Sequence, residues 1–283
     1  MNKPLVGVCL AVLLCGATAA PATAAGAERA VAPAPAAVDL AGTVALDNCS
    51  GSVVRVPGSQ PGDPALVLSN GHCLESGFPA PGEVVVDKPS SRRFTLLNAS
   101  GGNLATLRAS KIAYATMTDT DMSLYELTST YRDIESRYGV KALELDAARP
   151  AQGRAITVAS GFWKKLYKCA IDGFAHRLKE GSWTWKDSVR YTPDCKTIGG
   201  TSGAPVIDDA TGKVVAVNNT GNDRGGRCTD NNPCEVDETG KVTVREGINY
   251  GQQTYTIVPC VGTGNKIDLG RAGCTLPKPA RGR

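Results

Sequence analysis

The apolar residues of this chain come in short runs, each closed by glycine, proline, asparagine or aspartate. "SVVRV", "ALVLS", "EVVVD", "RFTLL", "ATLRASKIAY" and "MSLYEL" follow one another from Thr43 onward. Further along come "AITVAS", "LYKCAI", "SVRYT", "APVID", "KVVAVNN" and "YGQQTYTIV". Runs this short, rich in β-branched residues and bounded by turn formers, read as β-strands. With 32 glycines and 17 prolines to interrupt longer elements, an all-β barrel or sandwich is expected. One segment departs from the pattern. "TYRDIESRYG" opens on Thr130, places Asp133 three residues on and stops at Gly139, as a short capped helix would. It divides the strands into two sets of similar number. Two β-barrels joined by this segment are the simplest arrangement, with two halves of one sandwich as the alternative.

The first residues bear on the compartment. Lys3, an apolar run from Leu5 to Leu14 and the small residues of "GATAAPATAAG" have the layout of a secretory signal peptide, assigned to residues 1–25. The run is short for a membrane span. Cys15 leaves a lipoprotein reading open, although Leu14 before it is bulky for that processing. Residues 26–40 are Ala/Pro-rich and read as a linker or short pro-segment. Loss of the leader removes Lys3 and no acid, so a net charge of +4 becomes +3. So mild a balance argues against a nucleic-acid binder.

Of ten cysteines, Cys9 and Cys15 fall in the leader. Cys49, Cys73, Cys169, Cys195, Cys228, Cys234, Cys260 and Cys274 remain. An even set in an exported chain reads as a disulfide framework. Zinc is disfavoured, because no Cys-x-x-Cys pair occurs and His72 and His176 are the only histidines. Pairing of sequence neighbours (49–73, 169–195, 228–234, 260–274) closes the shortest loops at the least entropy.

"CKTIGGTSGAPVID" carries the chemistry. Its glycines let the backbone turn sharply and present Ser202 beside bare N–H groups, as a nucleophile next to an oxyanion hole requires. A flexible surface loop is the plainer reading. Both histidines precede Ser202, which excludes the α/β-hydrolase order. His72, in "LVLSNGHCLE", directly precedes Cys73; a bond from Cys73 to Cys49 would pin the backbone beneath the imidazole. His176 has no such anchor and reads as an exposed or half-buried strand-end residue. An orienting carboxylate is offered by "DTDMSLYEL", where Asp121 stands at the start of a strand and Asp119 is the near alternative.

These blocks, "CSGSVV…VLSNGHC", "DMSL" and "GGTSGAPV", resemble those of chymotrypsin-fold serine peptidases, in that fold's chain order. Secreted bacterial trypsin-like peptidases are the nearest in kind, over most of residues 43–262. The resemblance implies two six-stranded antiparallel β-barrels packed together, with the active site between them. They would span residues 41–130 and 153–262, joined through 131–152 and followed by a tail, 263–283. It further implies a His72–Asp121–Ser202 triad and an oxyanion hole from the N–H groups of Gly200 and Ser202. The Cys49–Cys73 bond follows from it as well. "VVAVNNTG" resembles the strand along which substrate pairs, so Asn218, Asn219 and Thr220 are expected to line the pocket, with "EGINYGQQ" opposite. Lys196 stands near the specificity position and is expected either to favour an acidic side chain or to be solvated.

The function implied is a secreted endopeptidase acting on peptide or protein, monomeric and free of the membrane, with no metal or organic cofactor. Thr201 replaces the aspartate with which an inserted N-terminal amine would pair, so the oxyanion hole is expected to form without N-terminal processing. Two rivals stand beside this reading. A subtilisin-like domain would need long helices. A catalytically silent β-domain acting as an extracellular binding module would keep the fold without the chemistry.

Overall fold

A computed structural model describes residues 37–280, together with the isolated residues Met1 and Gly7. The proposed leader and most of the 26–40 segment lie outside the described residues. The first set of strands is β1 (Thr43–Ala45), β2 (Ser50–Arg55), β3 (Pro64–Ser69), β4 (Val84–Pro89), β5 (Arg93–Leu97), β6 (Asn103–Thr116) and β7 (Met122–Thr130). Helix α1 (Tyr131–Tyr138) and the short β8 (Leu143–Glu144) follow. The second set is β9 (Ala155–Ser160), β10 (Lys165–Glu180), β11 (Trp183–Tyr191), β12 (Pro205–Asp208), β13 (Val214–Gly221), β14 (Cys234–Val236), β15 (Val242–Val244) and β16 (Asn249–Gln253).

Antiparallel pairing runs β1-β5-β6-β7-β3-β2 and returns to β1, which closes a six-stranded barrel. β4 pairs with β6 and β8 lies parallel to β2, both outside this ring. In the second sheet β9-β10-β11-β16-β13-β12 likewise return to β9, and β14 and β15 extend from β10. Thr130 caps α1: its hydroxyl accepts from the Asp133 N–H while the Asp133 carboxylate accepts from the Thr130 N–H. Gly139 ends the helix in the left-handed conformation that glycine adopts without strain.

Why the strands read as nearly continuous apolar runs follows from where their two faces go. In β3, Ala65 and Val67 fill the first barrel with Val53, Phe94, Leu96 and Tyr125. Leu66 and Leu68 alternate with them and point outward. There they meet Met122 and Leu124 of β7, and Ala159, Ile207, Val214 and Val217 of the second barrel. β12 repeats the pattern, with Val206 inside its own barrel and Ile207 in the shared layer. Both faces are therefore buried, one in a barrel and one between barrels.

The four disulfides Cys49–Cys73, Cys169–Cys195, Cys228–Cys234 and Cys260–Cys274 join sequence neighbours. Leu66→Ala and Leu124→Ala each remove a fully buried side chain from the shared layer. Each should cost about 2–5 kcal/mol in denaturant unfolding. A loss within about 0.5 kcal/mol would mean that the barrels do not depend on this layer for stability.

Candidate active site

Three elements of the first barrel converge on His72. The chain leaves β3 at Ser69 and makes a single 3₁₀ turn, Gly71–Cys73. Cys73 is bonded to Cys49 across a 24-residue separation, so the turn cannot drift from β2. The buried Arg92 guanidinium donates to the Cys73 carbonyl and also to Tyr125 Oη at 3.0 Å and Asp47 Oδ1 at 2.8 Å. Asp121, immediately before β7, has no exposed surface. Its Oδ1 accepts the N–H groups of Gly71 at 2.6 Å and His72 at 3.1 Å, and its Oδ2 lies 2.7 Å from His72 Nδ1. Three donors compensate the burial of this carboxylate. The choice between the two acids is resolved geometrically, because Asp119 is exposed and pairs with Lys186 at 2.7 Å.

Burial by itself would depress the His72 pKa. The Asp121 carboxylate opposes this by charge and hydrogen bond, Glu180 adds to it from further off, and the net result lies above the ordinary 6.5. A proton on Nδ1 shared with Asp121 leaves Nε2 as the basic nitrogen.

Ser202 reaches the same cleft from the second barrel. Cys169–Cys195 fastens the preceding loop, and Asn249 Nδ2 donates to the Cys195 carbonyl at 2.8 Å. The Ser202 carbonyl accepts the Ser50 N–H of β2 at 2.8 Å, a backbone bond from one barrel to the other at Ser202 itself. Gly203 makes this approach possible: its φ is +80°, and a Cβ there would sit 2.2 Å from both Ser50 O and Ser69 Oγ. Ser202 Oγ donates to the Asn219 carbonyl at 3.2 Å. The buried Thr201 donates its hydroxyl to Ile198 O and accepts Asn218 Nδ2 at 3.1 Å. Among the described residues the N–H groups of Gly200 and Ser202 have no protein acceptor.

A model of the trypsin-like peptidase domain matches residues 49–217, more than half of the chain, and spans His72, Asp121 and Ser202. The chain belongs to this family. No curated protein matches it in sequence. Among solved structures it is similar to the MamO protease domain of Magnetospirillum magneticum: 14% identity, TM-score 0.47, covering 77% of this chain and 95% of that one. The thermostable serine protease AL20 of an extremophilic microorganism gives 15% identity and TM-score 0.45, with 76% and 91% covered. Nocardiopsis protease gives 13% and 0.42, with 76% and 93% covered.

The cleft of this serine protease holds about 310 Å³. Asn218, Asn219, Thr220 and Asn249 line it, but Lys196 does not. In the loop after β11, Lys196 is exposed, whereas the next residue, Thr197, is buried and lines the cleft. His176 lies in the middle of β10, on its exposed side, and not at a strand end.

The cleft also contains residues that the sequence reading did not single out. Phe78 packs edge-on against His72, with ring centres 5.7 Å apart, and against Trp183 at 5.8 Å. Glu180, at the end of β10, accepts the Asn231 N–H at 2.8 Å, and burial raises its pKa. Asp223 and Asp230 complete an acidic wall, and among the described residues no lysine or arginine lines the cleft. Of these, Glu180 and Trp183 lie on the long β10–β11 hairpin, whose tip "GFAHRLKEGSWTWKD" has no apolar run that would mark them. Cys49, His72 and Cys73 lie close enough to hold a cation, but the two sulfurs are joined to each other and neither is a thiolate.

Because the folded pKa of His72 exceeds its unfolded value, the folded state holds the proton more tightly. That stability is fully present below pH about 6.5 and is lost as pH rises through the folded value. In a Ser202→Ala protein, His72 should titrate above 6.5 by NMR. Adding Asp121→Asn should bring it below, since burial then faces only Glu180. No change on that substitution would mean that Asp121 does not set the pKa.

Proposed function

We propose that this peptidase is a secreted serine endopeptidase that works through a His72–Asp121–Ser202 triad. The observation that carries the proposal is the buried Asp121 carboxylate, which grips His72 by backbone and ring together and faces Ser202 across one cleft. Four disulfides and the signal-like leader support an oxidising, extracellular setting.

In this mechanism Ser202 first turns its hydroxyl from the Asn219 carbonyl, a weak partner at 3.2 Å, toward His72 Nε2. Oγ then attacks the substrate carbonyl carbon and its proton passes to Nε2. The imidazolium forms against Asp121, which stabilises it without taking the proton. The carbonyl oxygen, now an anion, is received by the free N–H groups of Gly200 and Ser202. Collapse breaks the C–N bond, the amine leaves with the proton from His72, and an acyl-enzyme ester remains. Water, deprotonated by His72, attacks that ester and restores Ser202. Thr201 is hydrogen-bonded within its loop and has no charge for an inserted amine, so the site needs no N-terminal cleavage. The acidic wall makes the substrate one with basic or neutral side chains; the acid-preferring role considered for Lys196 loses its basis, since Lys196 faces solvent.

A fluorophosphonate probe should label the wild type and not Ser202→Ala. Peptide hydrolysis should fall by several orders of magnitude in Ser202→Ala and His72→Ala, with the double variant little worse than either. An unlabelled wild type with no hydrolysis would favour a silent binding module. Across a peptide library, Lys- and Arg-containing substrates should be cut faster than Asp- and Glu-containing ones. Glu180→Gln should narrow that gap, and a preference for acidic peptides would overturn the charge argument.

A further inference from the structure

Two adjacent glycines supply one half of the oxyanion hole, and nothing in their own chemistry holds them. Ile198, Gly199, Gly200 and Thr201 form a turn closed by the Thr201 N–H donating to Ile198 O at 3.0 Å. Gly200, its third residue, has φ +88°, the value that marks a type II turn. Type I and type II turns differ by a half-rotation of the middle peptide, here the bond between Gly199 and Gly200. Glycine at both positions makes either orientation sterically open. The peptide is planar and trans, so its carbonyl and its N–H point in opposite directions. Whatever holds the Gly199 carbonyl on one side therefore commits the Gly200 N–H to the other.

Trp163 supplies that hold. Its indole Nε1–H donates to Gly199 O at 2.7 Å. The next carbonyl, Gly200 O, accepts from Ser50 Oγ at 2.9 Å, so two successive peptides are fixed from outside the cleft. The loop bearing Trp163 hangs on the same serine. Phe162 N–H donates to Ser50 Oγ at 3.1 Å, Ser50 Oγ lies 3.0 Å from Ser160 Oγ, and Trp163 N–H donates to Ser160 Oγ at 3.2 Å. Phe162 braces the indole edge-on, with ring centres 5.0 Å apart. The loop lies directly against the turn, since a Cβ at Gly200 would come within 2.8 Å of Phe162 and 3.0 Å of Trp163 Nε1. Trp163 remains 48% exposed and does not line the cleft, so packing gives little reason for a tryptophan there.

We infer that Trp163 is a positioning residue for catalysis: its indole N–H holds the Gly199–Gly200 peptide so that the Gly200 N–H faces the reacting carbonyl. The inference rests on the peptidase reading above. In the resting protein this bond keeps the donor aimed before substrate arrives, so no reorganisation is needed as the oxyanion develops. Without it the turn exchanges between its two forms and only a fraction of molecules is competent, which lowers turnover by that fraction.

Trp163→Phe keeps an aromatic ring beside Phe162 and removes the indole N–H together with the second ring. In active-site-titrated protein kcat should fall about threefold to tenfold, the effect of one net hydrogen bond on such an equilibrium. KM should change less than about twofold, because the donor acts mainly on the transition state. Affinity for a peptidyl trifluoromethyl ketone, whose adduct places an oxyanion in the hole, should fall by the same factor as kcat, while affinity for a product peptide stays unchanged. The thermal midpoint should stay at the wild-type value. Equal kcat and equal ketone affinity in the two proteins would overturn the inference, as would a lowered midpoint with unchanged titrated kcat, which is the mark of a packing role. An inactive wild type would instead remove the peptidase reading itself.

Discussion

A carboxylate with no exposed surface organises this molecule. Asp121 could not be buried alone, and its two oxygens are met by Gly71 N–H, His72 N–H and the His72 ring. Satisfying that one group fixes the turn after β3 and the angle of the imidazole together. Neighbouring contacts extend the same arrangement. Asn70 Nδ2 donates to the Asp121 carbonyl at 2.8 Å, and Ser123 Oγ donates to the Asn70 carbonyl at 2.8 Å. These bonds tie the polar groups at the mouth of the first barrel to one another, with Asn70 Oδ1 left buried and without a protein partner.

The second half of the site is tied to the first through backbone. Ser50 is the common point: its N–H reaches Ser202 O, its carbonyl accepts Ser69 Oγ, and its hydroxyl reaches Gly200 O. One buried residue of β2 therefore touches the segment carrying the base, the nucleophile loop and the loop of Trp163. Beneath it, Leu66, Leu68, Met122 and Leu124 pack on Ala159, Ile207, Val214 and Val217. Close-packed apolar layers resist sliding. The spacing of His72 and Ser202 is thus set by a layer in which neither takes part.

Charge then gives the cleft its character. Asp121, Glu180, Asp223 and Asp230 all line it, while His72 is its single basic residue among the described residues. The formal charge of the whole chain is +4, so the local field at the cleft is opposite in sign to the net charge. Net charge is a property of composition, whereas a site's field depends on which side chains the fold turns inward.

Much of this was legible in the residues themselves. Strand-length apolar runs could bury their surface only in sheets, and eight cysteines spaced in near pairs closed the short loops that cost least. Ser202 among glycines, His72 beside Cys73 and Asp121 at a strand start carried the site, because each type stands where its chemistry demands a particular backbone. Asp119 against Asp121 could not be decided along the chain; burial decided it, since one aspartate meets Lys186 in solvent and the other meets three donors inside. Lys196 faces outward while Thr197 is buried, a matter of how the loop after β11 runs and not of composition. Glu180 and Trp163 carried no signal at all. A residue acquires a role of that kind from what lies across space, and Trp163 stands 36 residues from the carbonyl it holds. The sequence by itself determined the fold class and the disulfide pairs and brought forward the candidate residues of the site, because these follow from local chemistry and loop entropy. The tertiary structure alone decided which of the two acids meets His72, which charges line the cleft and what holds the Gly199 carbonyl, because those depend on contacts that exist only once two barrels close on each other.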